Sequence, residues 1–92
     1  MRNLLQTKVG LRIKDLRAAA GLSQERFALK IGMDRTYLAS IEVGGRNVTL
    51  QNLAKIANGF DMTLSEFFEG IPRIDPREAR DAFRTRHVDY NL

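Results

Sequence analysis

A short predicted helix, residues 35–43, carries the side chains whose types and spacing indicate a chemical role. Successive helical residues are about 100° apart, so Leu38 and Ile41 point to one side, toward a protein core. The opposite side carries small residues without charge: Thr36, Ala39, Ser40 and Val43. Arg35 lies at the flank of that side. Small residues allow close approach, and their methyl groups can meet thymine methyls in the DNA major groove. The alternative is an ordinary solvated helix side.

Catalytic and metal-binding chemistry is not indicated by the sequence. The chain has no Cys, and its single His, His87, has no cluster of carboxylates around it. We find no Ser/His/Asp set, no phosphate-binding Gly-rich loop and no metal-ligand spacing. We therefore expect no enzyme activity, no cofactor and no metal, and no evident pocket for a small-molecule effector.

Caps and glycines along the chain predict five short helices. Their residues are 5–20, 24–31, 35–43, 50–58 and 64–69. Residues that cap helix N-termini precede the last four: Ser23, Asp34, Thr49 and Thr63. Glu66 completes a capping-box pattern with Thr63. Most of these helices are too short to be stable alone, so they must be held by mutual packing. The fold class is thus predicted to be all-α, in one domain over residues 1–71.

The predicted core consists of apolar residues at helical spacing. These are Ile13, Leu16, Leu22, Phe27, Ala28, Ile31, Met33, Leu38, Ile41, Leu50, Leu53, Ile56, Ala57, Met62, Leu64 and Phe67.

The segment 24–43 has the layout of a helix-turn-helix. A capped helix ends at Gly32, three residues form a turn, and a second helix follows. Gly32 allows the positive φ that a sharp turn needs, and Ala28 is small where two helices cross. In a helix-turn-helix the second helix enters the DNA major groove.

The distribution of charge agrees with a polyanionic partner. Residues 1–46 hold nine Lys/Arg and four Asp/Glu, whereas residues 47–92 hold six and seven. A basic first half suggests a face that meets nucleic acid. The alternative is a solvated surface on which the charges are unevenly distributed. No signal peptide or bilayer-spanning apolar run is evident, so we expect a cytoplasmic protein without membrane contact.

Taken together, the motifs of residues 9–71 resemble the Cro/C1-type (XRE) helix-turn-helix family. The residues that carry the resemblance are GLSQE at 21–25, GMDRTYL at 32–38, IE at 41–42 and RN at 46–47. The resemblance implies a five-helix, lambda-repressor-like DNA-binding domain and a transcriptional regulator. Within that family, the Asp-Arg-Thr-Tyr stretch and the chain length are similar to controller proteins of restriction–modification systems.

The resemblance also implies roles for individual residues. Gln24 matches a position that grips a phosphate, or else it is a plain polar residue in a first helical turn. Arg35, Thr36 and Ser40 match base-contacting positions, and Arg35 either reads guanine or clamps a phosphate. Tyr37 lies between the core and the DNA side, where its hydroxyl reaches a phosphate or its ring only packs.

Four further positions match the family outside the reading side of the helix. Arg17 and Glu42 match an ion pair that joins the first helix to the end of the third, which we interpret as structural. Arg46 and Asn47 follow the third helix, where a cation and backbone N–H groups usually meet phosphates.

Three departures from the family pattern put the phosphate role of this loop in doubt. Val43 replaces a commonly polar or basic residue, Gly45 a commonly basic one, and Val48 a frequent Pro. Each departure removes a contact or some rigidity.

A homodimer on a palindromic operator is expected, because one helix reads only a few base pairs. The candidate interface residues are Phe60, Phe68 and Ile71, extended by Phe83 and Tyr90. The alternative is that Phe60 and Phe68 simply complete the monomer core.

Residues 72–92 form a C-terminal extension with a predicted sixth helix at 76–86. Its apolar stripe is thin, so it either docks on the domain or stays mobile. Its arginines either act as a basic arm or pair with the acidic residues interleaved between them, and we favour the pairing.

Three functions stay open: a regulator that binds an operator, an antitoxin whose tail binds a toxin, and a protein-interaction module that does not read DNA. The operator sequence, and whether the protein represses or activates, are not encoded in these residues.

Overall fold

The computed structural model describes residues 4–71 and residue 73. These residues form five helices and no strand: α1 (Leu4–Ala20), α2 (Gln24–Ile31), α3 (Arg35–Glu42), α4 (Leu50–Gly59) and α5 (Leu64–Glu69). The predicted all-α, five-helix fold is confirmed, and each helix end differs by at most one residue from the prediction. The predicted helix at 76–86, and with it Phe83, His87 and Tyr90, lies outside the described residues.

Four helices begin at the predicted capping residues. Each cap side chain accepts a hydrogen bond from the backbone N–H three residues later, at 3.0–3.1 Å. At α5 the Glu66 carboxylate also accepts from the Thr63 backbone N–H at 2.8 Å, which completes the capping box. Each cap is worth about 1 kcal/mol, a large contribution for helices of six to ten residues.

The core lies where the five helices converge. The buried apolar residues are Val9, Ile13, Phe27, Ala28, Leu38, Ile41, Leu53, Ile56, Ala57 and Phe67. Phe60 stacks on Phe27 with ring centroids 4.2 Å apart and planes 12° apart, so it extends this core. The predicted core residues Leu16, Leu22, Ile31, Met33, Met62 and Leu64 are half-buried and pack against it.

The prediction that Leu50 belongs to the core is wrong. Leu50 is 74% exposed. It is the first residue of α4, at the rim of an apolar groove, and no described helix covers it there. Val9, absent from the predicted core, is buried instead because α1 packs on α3 at this level.

Helix α1 supports α3 through a close backbone approach at Gly10. A Cβ on Gly10 would overlap the carbonyl oxygen of Glu42 and would lie 2.5 Å from that of Ile41. Only glycine allows the two helices to come this near. The position of the last turn of α3 is therefore set by the backbone of α1.

The turn between α2 and α3 depends on Gly32. Its backbone is left-handed, with φ 65° and ψ 38°, and its N–H closes the end of α2. Met33 then donates its N–H to the Ala28 carbonyl at 2.9 Å. This C-cap turns the chain between the two helices, and α2 packs against α3.

Arg12 fastens α1 to the end of α5. Its Nε donates to the Phe67 carbonyl at 2.8 Å and its Nη2 to the Glu66 carbonyl at 3.0 Å. The last carbonyls of a helix lack partners within the helix and carry partial negative charge, which a guanidinium satisfies. None of the helices in the described part of the chain is long and apolar enough to cross a membrane.

Candidate nucleic-acid interface

Helix α3 buries one side and exposes the other. Leu38 is 0% and Ile41 1% exposed, as the predicted core side requires. Arg35 and Thr36 are exposed, and Val43, which caps the helix C-terminus, is 52% exposed. The first turn of α3 therefore presents a cation and a small hydroxyl side chain to the outside of the domain.

Arg35 and Gln24 line one open depression on the surface. Its volume is about 460 Å³, and its other walls come from Arg17, Ser23 and Glu25. Across residues 4–71 no hydrogen bond or ion pair fixes the Arg35 guanidinium, so its donors are available to an external acceptor. Gln24 and Arg35, the first residues of α2 and α3, thus face the same space.

A buried ion pair anchors the end of α3 to α1. Arg17 donates to Glu42 through Nε at 2.6 Å and through Nη2 at 2.8 Å. The side chains are only 13% and 3% exposed. Hydrogen bonding to Glu42 raises the pKa of Arg17 above its ordinary value, although burial opposes the shift. Arg17 also donates to the Leu22 carbonyl at 2.8 Å, so the pair locks three segments together.

Gln24 belongs to the same network. Its Nε2 donates to the Glu42 carboxylate at 3.0 Å. This contact leaves the second amide hydrogen and the amide oxygen of Gln24 for other partners. The side chain is therefore held at the start of α2 rather than free to rotate.

Ser40 is tied into its own helix. Its Oγ donates to the Tyr37 carbonyl at 2.6 Å and accepts from Arg46 Nε at 3.2 Å. In this geometry its only hydroxyl hydrogen is already used. Ser40 therefore offers less to a base edge than Arg35 or Thr36 does.

Tyr37, Arg46 and Asn52 form a second cluster beside α3. The Arg46 guanidinium lies 5.4 Å from the centroid of the Tyr37 ring. Asn52 Nδ2 donates to the Tyr37 hydroxyl at 3.1 Å. Asn47 is exposed next to Arg46. Sequence reasoning missed Asn52, since a polar residue in the first turn of a helix gives no signal of a contact 15 residues away.

The three candidate interface residues occupy different environments. Phe60 stacks on Phe27 in the core, and Ile71 is half-buried against the core. Phe68 is 37% exposed and meets Phe67 edge-on, with ring centroids 5.3 Å apart.

Phe68 lines an apolar groove of about 230 Å³ that sequence reasoning missed. Leu5, 48% exposed, and Leu50, 74% exposed, line it as well. The rest of the wall is formed by Gln6, Val9, Arg46, Asn47, Val48 and Leu53. The groove joins the apolar ends of α1, α4 and α5 on one surface.

Within the described ranges, no group of three or more His, Asp or Glu side chains is placed to hold a metal ion. The exposed side chains of this surface include the cations Arg35 and Arg46, the hydroxyl of Thr36 and the amide of Asn47, groups that suit phosphates and base edges.

Comparison with known proteins agrees with this geometry. The Helix-turn-helix family matches residues 13–67. Control protein C.MunI from Mycoplasma sp is 49% identical over 72 residues, which span 77% of this chain and 97% of C.MunI. The restriction-modification controller protein C.AhdI from Aeromonas hydrophila has 44% identity and a TM-score of 0.66, over 68% of this chain and 96% of C.AhdI.

A third similar protein has been solved on DNA. It is the restriction-modification controller protein C.Esp1396I, a tetramer in complex with its natural 35 base-pair operator. Its TM-score is 0.68 at 39% identity, over 72% of this chain and 87% of that one. The resemblance inferred from the sequence is confirmed, and the chain belongs to the XRE-type helix-turn-helix family, in which it is similar to restriction–modification controller proteins.

Proposed function

We propose that this protein, a DNA-binding helix-turn-helix regulator of the restriction–modification controller type, binds a palindromic operator as a homodimer and reads it through α3. The observation that carries the proposal is the two-sided character of α3. Leu38, Ile41 and Glu42 hold the helix from behind, while Arg35 and Thr36 face outward. A helix fixed in this way can enter the major groove without rearrangement of the domain.

Arg35 is proposed to read a base and Thr36 to contact a neighbouring one. A guanidinium can donate two hydrogen bonds to guanine O6 and N7, a contact worth about 1–3 kcal/mol of discrimination. The exposed, unfixed guanidinium of Arg35 supports this role. Ser40 contributes less, because its hydroxyl bonds within α3.

Phosphate contacts are assigned to residues that flank α3. Gln24, held by Glu42, would grip the backbone on one side, and Arg46 and Asn47 would do so on the other. Val43 and Gly45 add no charge at this end of α3. We therefore expect each monomer to bind modestly and the dimer to supply the affinity.

The proposed dimer interface centres on Phe68 and the apolar groove beside it. A second copy of the chain is its occupant in this proposal, with Leu5 and Leu50 of the groove and the half-buried Ile71 extending the contact. The tetramer reported for C.Esp1396I on its operator supports self-association. Two copies would place their α3 helices about 34–36 Å apart, one helical turn of DNA. Phe60 contributes to the monomer core instead.

Selection of DNA targets from a random pool tests the reading function. Wild type is expected to yield a palindromic motif, whereas Arg35→Ala should lose preference at the base pairs that Arg35 contacts. Lys55→Ala, which removes an exposed cation from α4, serves as the control and should retain the full motif. If wild type yields no motif, direct readout is wrong and an interaction module that does not read DNA becomes the better description.

Salt dependence gives an independent test of the phosphate contacts. A dimer that touches about 6–10 phosphates should lose about 10³–10⁵ in affinity between about 50 and 200 mM salt. Affinity that hardly changes over this range would contradict the proposed cationic contacts, that of Arg46 and its partner copy among them. The antitoxin hypothesis concerns residues 72–92, and no described contact favours it.

A further inference from the structure

We propose that Asn52 is a positioning residue for DNA binding, which acts by aiming the hydroxyl hydrogen of Tyr37 at a DNA phosphate beside Arg46. The inference rests on the proposed function and assigns a residue of α4 to it. It also chooses between the two roles that the sequence leaves open for Tyr37.

The hydrogen bond between Asn52 and Tyr37 has a direction. Asn52 Nδ2 donates to the tyrosine oxygen at 3.1 Å. A phenolic hydroxyl carries one hydrogen and accepts through its oxygen. Because the oxygen already accepts from Asn52, the hydrogen of Tyr37 points elsewhere and is available to an acceptor outside the domain.

The ring of Tyr37 cannot easily turn away from this position. It is half-buried and packs against the core. The Arg46 guanidinium covers it at 5.4 Å, and Arg46 Nε is held by Ser40 Oγ at 3.2 Å. The hydroxyl and the cation are therefore placed together before any ligand binds.

The chemistry of the cluster suits a phosphodiester. Tyr37 supplies a neutral donor, and the exposed Arg46, whose Nε is bonded to Ser40, supplies a positive charge. The contacting side chains, including Ser40 and Asn52, carry no negative charge. An anion with several acceptor oxygens satisfies both donors, and phosphates are what border the major groove.

The side chain of Asn52 is not needed to cap its own helix. The cap of α4 is made by Thr49 Oγ1, which accepts from the backbone N–H of Asn52 at 3.1 Å. The Asn52 amide instead reaches across to α3. We therefore expect its replacement to affect the Tyr37 hydroxyl more than the helix.

A double-mutant cycle on DNA tests this positioning role. Binding of the full chain to a mixed-sequence DNA duplex is measured by fluorescence anisotropy for wild type, Tyr37→Phe, Asn52→Ala and the double variant. Each single variant should weaken binding by about tenfold, the scale of one hydrogen bond to a charged group. The double variant should also lose only about tenfold, since both substitutions remove the same phosphate contact. Asn58→Ala, the same substitution in the last turn of α4, should bind as wild type does.

The salt dependence separates positioning from a general loss of structure. Tyr37→Phe and Asn52→Ala remove no charge, so the slope of log affinity against log salt should stay at the wild-type value. Arg46→Ala should lower that slope by about 1 per monomer. If Asn52→Ala melts too early to measure, Asn52→Asp replaces it and should bind even more weakly, because its carboxylate accepts the hydroxyl hydrogen and repels phosphates.

The outcomes distinguish this inference from the proposed function. If wild type binds neither this duplex nor any sequence from the random pool, the proposed function is wrong and this inference is overturned with it. If wild type binds and Asn52→Ala binds equally well, only the positioning role is wrong. Losses that add in the double variant, to about a hundredfold, would also overturn it, because Asn52 would then act independently of Tyr37.

Discussion

The amide of Gln24 donates a hydrogen bond to the carboxylate of Glu42, with 3.0 Å between Nε2 and Oε1. The contact joins the first residue of α2 to the last residue of α3. Glu42 is buried and is already paired with Arg17. One carboxylate thus anchors the proposed reading helix and orients a proposed phosphate-binding side chain, so stability and DNA binding share a group.

Replacement of Glu42 should destabilise the fold strongly. Glu42→Ala leaves the guanidinium of Arg17, which is 13% exposed, without its partner. Loss of one member of a buried pair costs about 3–5 kcal/mol. Ser40→Ala, which removes a hydroxyl that bonds within α3, is the comparison and should cost far less. Urea and thermal unfolding measure both, and equal melting would mean that the pair acts only as a surface contact.

Gln24 should matter for binding more than for stability. In Gln24→Ala the Glu42 carboxylate keeps both hydrogen bonds from Arg17, so the free energy of unfolding should fall by only about 1 kcal/mol. Affinity for DNA should drop by a similar factor on every sequence, because a phosphate contact carries no base preference. Anisotropy titrations on the selected motif and on a scrambled duplex check this. A loss confined to the motif would assign Gln24 to base reading instead.

The backbone approach at Gly10 makes a counterintuitive prediction about helix propensity. Ala is favoured over Gly within a helix by about 1 kcal/mol. Gly10→Ala should nevertheless destabilise the protein by about 1–3 kcal/mol, since its Cβ would overlap the Glu42 carbonyl oxygen. Lys14→Ala, at an exposed position of α1, is the matched control and should change stability by less than about 0.5 kcal/mol. A stabilised Gly10→Ala variant would show that α1 and α3 can move apart at no cost.

Phe68 should control self-association without controlling the fold. Phe68→Ser removes the exposed ring from the apolar groove and should give a folded monomer by analytical ultracentrifugation and circular dichroism. Its edge-on contact with Phe67 is worth about 0.5–1.5 kcal/mol, so the melting temperature should fall modestly. Leu29→Ser removes a still more exposed apolar side chain, 82% accessible, from α2 and should leave the dimer intact. Dimers that persist in Phe68→Ser would move the interface elsewhere.

The helices were predictable because residues close together in the sequence determine where each helix begins and ends. Each cap at Ser23, Asp34, Thr49 and Thr63 depends on residues at most three positions away. The inward direction of Leu38 and Ile41 follows from helical spacing in the same way. Local chemistry of this kind can be inferred without knowledge of the tertiary structure.

The errors concern relations between distant segments. Leu50 has the right spacing for the core, but its exposure depends on whether another helix lies over the start of α4. The bonds from Arg12 to α5 span 54 and 55 positions of sequence and leave no local signature. The close approach at Gly10 does have a local signature, which the sequence prediction did not use. An isolated glycine inside a helical pattern is costly and indicates a close packing contact.

The division of α3 into an anchored side and an open side has a consequence for how such proteins diverge. Thr36 and Val43 are exposed, and neither takes part in the hydrogen bonds that hold the Glu42 carboxylate. If Thr36 contacts a base as proposed, substitutions there should change the preferred DNA target while the melting temperature stays nearly constant. On the proposed mode of reading, two descendants of one such gene that differ at one or two exposed residues of α3 would control separate operators in the same cell.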